Sequence, residues 1–144
     1  MGQIFRRDDD MIKVYYLSKT NSGRTAMRWL ENHNLEYVDR KITKKNPIKV
    51  HEIKKILALA ENGFDDLINA RTKKFQALEI NENECSTEYL IGILIQNPSV
   101  IKLPIIIDEK KIVIGFNERE IRCFLSKEYR RTQLLDSGSY YLEE

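Results

Sequence analysis

Between Met11 and Ser18, the run Ile12-Lys13-Val14-Tyr15-Tyr16-Leu17 packs β-branched and aromatic residues almost side by side. So short and dense an apolar run predicts a buried strand. Ala26, Trp29, Leu30 and His33 then recur at helical spacing, with Asn21 or Ser22 placed to cap the first turn. Trp29 falls on that stripe, so it is expected to pack against the sheet. Glu36 to Ile42 predicts a second strand with thinner apolar content. The order β-α-β, with so long a connection, predicts two parallel strands.

Further on the period changes. Val50, Ile53, Ile56, Leu57 and Ala60 form a helical stripe, and Asn62-Gly63 supplies a left-handed stop after it. Phe64, Leu67 and Ile68, then Phe75 and Leu78, predict two shorter helices. Tyr89, Leu90, Ile93 and Leu94 predict another, ended by Asn97-Pro98. Leu103 to Asp108 is the strongest strand signal in the chain. Glu109-Lys110 makes a tight turn, and Lys111 to Ile114 returns as its hairpin partner. Gly115 closes that strand. Asn117 and Glu120 have capping-box spacing ahead of a helix with Ile121, Phe124 and Leu125 on its inner face.

The sum is an α/β chain: a thioredoxin-like βαβ–ββα core with a central inserted helical block at about 47–97. Pro104 fits only a strand start or an edge, and in this arrangement a cis bond is expected before it. One domain over 11–128 is expected. Residues 1–10 read as a mobile extension or a cloning remnant, and 129–144 as a polar tail that carries Tyr140-Tyr141.

Composition narrows the function classes. The 144 residues carry a formal net charge of only +2, so no broad basic field points to direct nucleic-acid binding. No apolar run approaches bilayer length, and Met1 to Asp10 lacks the apolar segment of a signal peptide. A cytoplasmic location follows as the expectation. Cys85 and Cys123 lie far apart and read as idle thiols rather than a disulfide. Two cysteines and two histidines without ligand-like spacing imply no metal, and nothing in the sequence implies a cofactor.

Several segments in order carry a family resemblance. They are Ile12–Leu17 with Arg28-Trp29-Leu30-Glu31-Asn32-His33, Glu52-Ile53-Lys54-Lys55-Ile56-Leu57 with Glu61-Asn62-Gly63, and Ala70-Arg71-Thr72-Lys73. Pro104 to Lys110, Gly115-Phe116-Asn117-Glu118 and Ile121 to Leu125 complete the set. Over roughly residues 11–128 the chain resembles the Spx family of transcription regulators, relatives of the glutaredoxin-linked arsenate reductases.

That resemblance implies a non-enzymatic regulator whose partner is the C-terminal domain of the RNA polymerase α subunit, with DNA reached only indirectly. It places Gly63 on the partner-binding surface, with Glu61, Asn62, Lys54 and Lys55 in the same patch. Gly63 also has a plainer reading as a residue that ends a helix with positive φ. Spx proteins carry a CxxC redox pair after the first strand, and the matching positions here are Thr20 and Gly23. A helix N-terminus lowers a thiol's pKa, but a threonine hydroxyl starts too far above neutrality for the same field to ionise it. No general base lies near in sequence, since His33 and His51 sit well along helices.

An oxyanion pocket of the arsenate-reductase kind is the alternative. Arg71, Arg24 and Lys102 are its candidates, unless Arg71 simply pairs with a carboxylate such as Asp66. Leu103 stands where the reductases often place an arginine. Spx proteins are also commonly removed by an ATP-dependent protease or its adaptor, which reads a small apolar C-terminal end. Leu142-Glu143-Glu144 departs from that pattern.

Overall fold

A computed structural model describes residues 11–126 except Lys19. Four strands form one mixed sheet in the order β2-β1-β3-β4. Strand β1 spans Ile12–Tyr16 and pairs in parallel with β2, Tyr37–Lys41. On its other side β1 pairs antiparallel with β3, Ile105–Ile107, which in turn pairs antiparallel with β4, Ile112–Ile114. The parallel crossover and the hairpin therefore stand as expected. The Leu103–Pro104 peptide is cis, and Pro104 lies just ahead of β3.

Successive side chains of a strand point to opposite faces, so the central strands feed two separate cores. On one face Val14, Tyr16, Ile106 and Val113 pack with Ala26, Met27, Trp29 and Leu30 of helix α1, Asn21–Asn32, and with Ile121, Phe124 and Leu125. Tyr15, Ile105 and Ile107 face the opposite side. There they meet the helical block: α2 (Val50–Leu59), α3 (Phe64–Leu67), α4 (Lys73–Ala77) and α5 (Thr87–Gln96). Trp29 is buried as expected, and its ring stacks on His33 with centroids 3.9 Å apart.

Three local expectations are corrected. The cap of α1 is Thr20, not Asn21 or Ser22: Thr20 Oγ1 accepts from the Gly23 N–H at 3.3 Å. Helix α1 thus begins one residue before the register that its apolar stripe suggests. Gly63 has φ +59° but ψ −128°, the mirror image of extended backbone, and it leads into α3 rather than closing α2 in the left-handed helical well. The last helix is a 3-10 segment, Glu120–Phe124. Asn117 Oδ1 accepts from the N–H groups of Arg119 and Glu120 at 2.9 and 3.0 Å, so its capping contact forms over a shorter, tighter turn.

One buried ion pair ties the sheet to the helical block. Arg40, on β2, holds both carboxylate oxygens of Glu52 at 2.9 and 3.0 Å. Tyr15 Oη donates to the same carboxylate at 2.9 Å, as does the Lys49 N–H. The remaining guanidinium hydrogens reach the carbonyls of Lys41, Asn46 and Pro47 at 2.8–3.0 Å. Burial alone raises the pKa of Glu52. The donors from Arg40, Lys49 and Tyr15, with the Arg40 charge, outweigh it and hold the carboxyl at about 2. This pairing also compensates for the lysine that stands at the α2 cap, since Glu52 reaches back to the cap N–H.

Candidate functional site

The stretch Leu17–Gly23 links the end of β1 to α1, and Thr20 sits at its tip. Its hydroxyl is committed to capping. Beside it lies a cavity of about 220 Å³ lined by Tyr16, Leu17, Asn69, Ser99, Leu103 and Pro104 among others, with no basic side chain among the described residues of its wall. Burial, with the Asp39 carboxylate accepting from it, pushes the Tyr16 hydroxyl up to about 12. It stays neutral and offers no base to Thr20. His33 closes the far end of α1, about 18 Å of helix away. Gly23 is buried, and a Cβ built there would lie 3.6 Å from Thr20 Oγ1, an ordinary contact.

The three candidate anion ligands are not brought together around Thr20. Arg24 is exposed and lines neither this cavity nor the next. Arg71 and Lys102 share a neighbouring cavity of about 500 Å³, which also holds Asp65 and Glu82. Burial and a hydrogen bond with Asp65 raise the pKa of Glu82, so two carboxyl groups sit close enough to share a proton. Lys102 Nζ donates to the Asp65 carbonyl at 3.2 Å. The expected Arg71–Asp66 pair is not made: Asp66 accepts instead from the Asn62 N–H at 2.8 Å and from its side-chain amide at 3.3 Å. Sequence reasoning missed the Asp65–Glu82 pair, because nothing local to either residue signals the other.

The second candidate region is the turn Glu61–Gly63 between α2 and α3. Glu61 and Asn62 are exposed, Gly63 is half-buried, Lys54 is exposed and Lys55 is half-buried. The turn is held by Asp66 through Asn62. A Cβ built on Gly63 meets no atom within 4 Å, so glycine is required by the backbone and not by internal packing. Glu61 also borders a cavity of about 560 Å³ against β4, with Asp66, Lys102, Lys111 and Glu120 in its wall.

Neither Cys85 nor Cys123 is in a disulfide, and both are half-buried. Among the described residues no cluster of three metal-ligating side chains occurs, and no helix is long and apolar enough to cross a membrane. The C-terminal residues Leu142-Glu143-Glu144 and the first ten residues lie outside the described part.

Comparison with known proteins gives a consistent picture. The ArsC family model matches residues 15–124. The global transcriptional regulator Spx of Streptococcus pyogenes serotype M1 is 40% identical over 124 residues, covering 86% of this chain and 92% of its own. Spx of Streptococcus pneumoniae R6 is 41% identical over 127 residues, covering 88% and 95%. Among solved structures, a Staphylococcus aureus protein superposes with TM-score 0.68 at 23% identity over 81% of this chain and all of its own. An arsenate reductase from Vibrio cholerae gives 0.60 at 18% identity, covering 80% and 95%.

Proposed function

The chain belongs to the ArsC family, and we propose that within it this protein is a non-enzymatic transcription regulator acting on RNA polymerase without a thiol switch. Its relatives at about 40% identity are named as global transcriptional regulators, which supports the regulatory half of this reading. The partner is the C-terminal domain of the polymerase α subunit, and the surface is the turn around Gly63 with Glu61, Asn62, Lys54 and Lys55. One observation carries the choice of surface: a glycine whose missing side chain points into open space on an exposed turn. A partner's backbone can approach such a site closely, and any side chain there would hold it off. The protein works in the cytoplasm, reaches DNA only through the polymerase, and is set by its abundance. An ATP-dependent protease or its adaptor is the partner proposed to set that abundance.

Calorimetric titration of the full chain with the purified α C-terminal domain tests this. Saturable binding is expected, abolished by Gly63→Arg and weakened by Glu61→Lys. The second variant separates contact from strain, because Glu61 is exposed and its backbone imposes no glycine-only conformation. Absence of binding by the parent chain would overturn the reading.

The enzymatic alternative rests on the Thr20 cavity and on neighbours that are themselves arsenate reductases. Against it, no base stands beside Thr20 among the described residues, and the neighbouring cavity that holds Arg71 and Lys102 also contains two carboxyl groups. Phosphate, sulfate and arsenate are each expected to leave the melting temperature unchanged. A rise that saturates with anion concentration would restore this alternative by simple ligand linkage.

A further inference from the structure

We propose that the groove between the 43–46 turn and the start of α4 binds a small amphipathic anion, an apolar chain or ring bearing a carboxylate. The site is independent of the polymerase reading. Its volume is about 430 Å³, within the range of small-molecule sites, roughly 300–1,000 Å³. Leu17, Ile42, Pro47 and Pro98 give it an apolar lining, and among the described residues Lys44 and Lys74 contribute its only charges. Both lysines are exposed, and neither forms an ion pair among the described residues. The contrast with the other large cavities is chemical: there the basic side chains face carboxylates across the same space. Here the cationic charge is uncompensated and stands over apolar surface, which is the complement of an amphipathic anion.

The two walls are also built rather than loose. Thr43 and Asn46 exchange backbone hydrogen bonds at 3.2 Å, and Asn46 N–H also donates to Thr43 Oγ1 at 2.9 Å, which fixes Lys44 inside a closed turn. Arg40 holds the carbonyls of Asn46 and Pro47 from beneath, itself locked by Glu52. On the opposite wall, Thr72 Oγ1 accepts from Phe75 N–H at 3.2 Å and caps the helix that carries Lys74. The backbone that carries the two lysines is thus fixed before binding, so ordering on binding is confined to their side chains. Leu17 and Ser99 line both this groove and the Thr20 cavity, so an occupant would touch the wall of the position that carries the thiol pair in Spx proteins.

Octanoate is the probe, followed by amide chemical shifts of the full chain, with acetate as the control for the head alone and octylamine for the same chain with the opposite charge. Saturable shifts clustered at Leu17, Lys44, Lys74 and Ser99 are expected for octanoate and not for either control. The double variant Lys44→Glu/Lys74→Glu should weaken octanoate by roughly tenfold or more while leaving the melting temperature near that of the parent. Octanoate binding untouched by the charge reversal, or octylamine binding equally well, would overturn the assignment. So would saturable shifts with an acidic leucine-containing peptide and none with octanoate, which would give the groove to a protein segment.

Discussion

Replacing Glu52 by Gln is expected to cost about 3–5 kcal/mol of folding stability at pH 7, the usual effect of removing one member of a buried ion pair. The guanidinium of Arg40 would remain, 11% exposed, with its best acceptor neutralised. Tyr15 and the Lys49 N–H would lose a charged acceptor in the same step. Acid should reproduce part of the loss in the parent protein. The folded carboxyl titrates at about 2 against an ordinary value of 4.5, so its contribution is complete above the unfolded pKa and disappears as pH falls through the folded one. Between pH 7 and pH 3 the gap between parent and variant should therefore narrow by about 2 kcal/mol. Urea unfolding at the two pH values measures it. An equal gap at both would mean that the Glu52 charge does not carry the stabilisation. Arg40→Met/Glu52→Leu should recover only part of the stability, because the carbonyls of Lys41, Asn46 and Pro47 would still lose their donor.

The second large effect is a gain. Thr20→Cys/Gly23→Cys should close a disulfide under mild oxidation, where the parent chain forms none. The Cβ that residue 23 lacks would lie 3.6 Å from the Thr20 hydroxyl oxygen, close to where a sulfur at residue 20 would sit. In a disulfide the Cβ of one residue lies about 3 Å from the sulfur of the other, so about half an ångström of closure makes the bond. A loop this short gives roughly 2 kcal/mol by the chain-entropy argument. Mass spectrometry after thiol blocking reads the bond, with Thr20→Cys alone as the control. A double variant that stayed reduced would show that the loop has lost the geometry as well as the sulfur. If the oxidised variant also changes its affinity for the polymerase domain, the proposed indifference of the parent to redox state traces to two side chains.

How much of this was legible in the sequence depends on the range over which each feature is determined. Ile105-Ile106-Ile107 and its return strand are local statements, since β-branched residues around a two-residue turn admit few other arrangements. The order of the helical block was equally visible, because Asn62-Gly63 and Asn97-Pro98 punctuate it. The Glu36–Ile42 strand was visible only weakly: Asp39, Arg40 and Lys41 interrupt its apolar pattern, and Arg40 is there to reach Glu52 twelve residues on. Thr20 was overlooked as a cap because three polar residues in a row, Thr20-Asn21-Ser22, all suit the role, and only backbone geometry separates them. The final 3-10 turn differs from an α-helix by one hydrogen-bond step, which spacing over five residues does not resolve. At the candidate sites, Gly63 was marked correctly as a positive-φ position, yet its ψ depends on how α3 departs from the turn. The Asp65–Glu82 pair joins separate parts of the helical block, the lysine-rimmed groove joins that block to the chain around Leu17 and Lys44, and no window of sequence contains either.

The division of the core by a single sheet has a consequence for how such a protein changes over generations. Thr20, Gly23 and the helix they open rest on one hydrophobic layer, while Gly63 and its turn rest on the other. Substitutions around Thr20 and Gly23 thus bear on a different hydrophobic layer from the one beneath the Gly63 turn. On the proposed reading, inheritance can discard a thiol pair at one end and keep the turn around Gly63 at the other, because the two rest on separate layers.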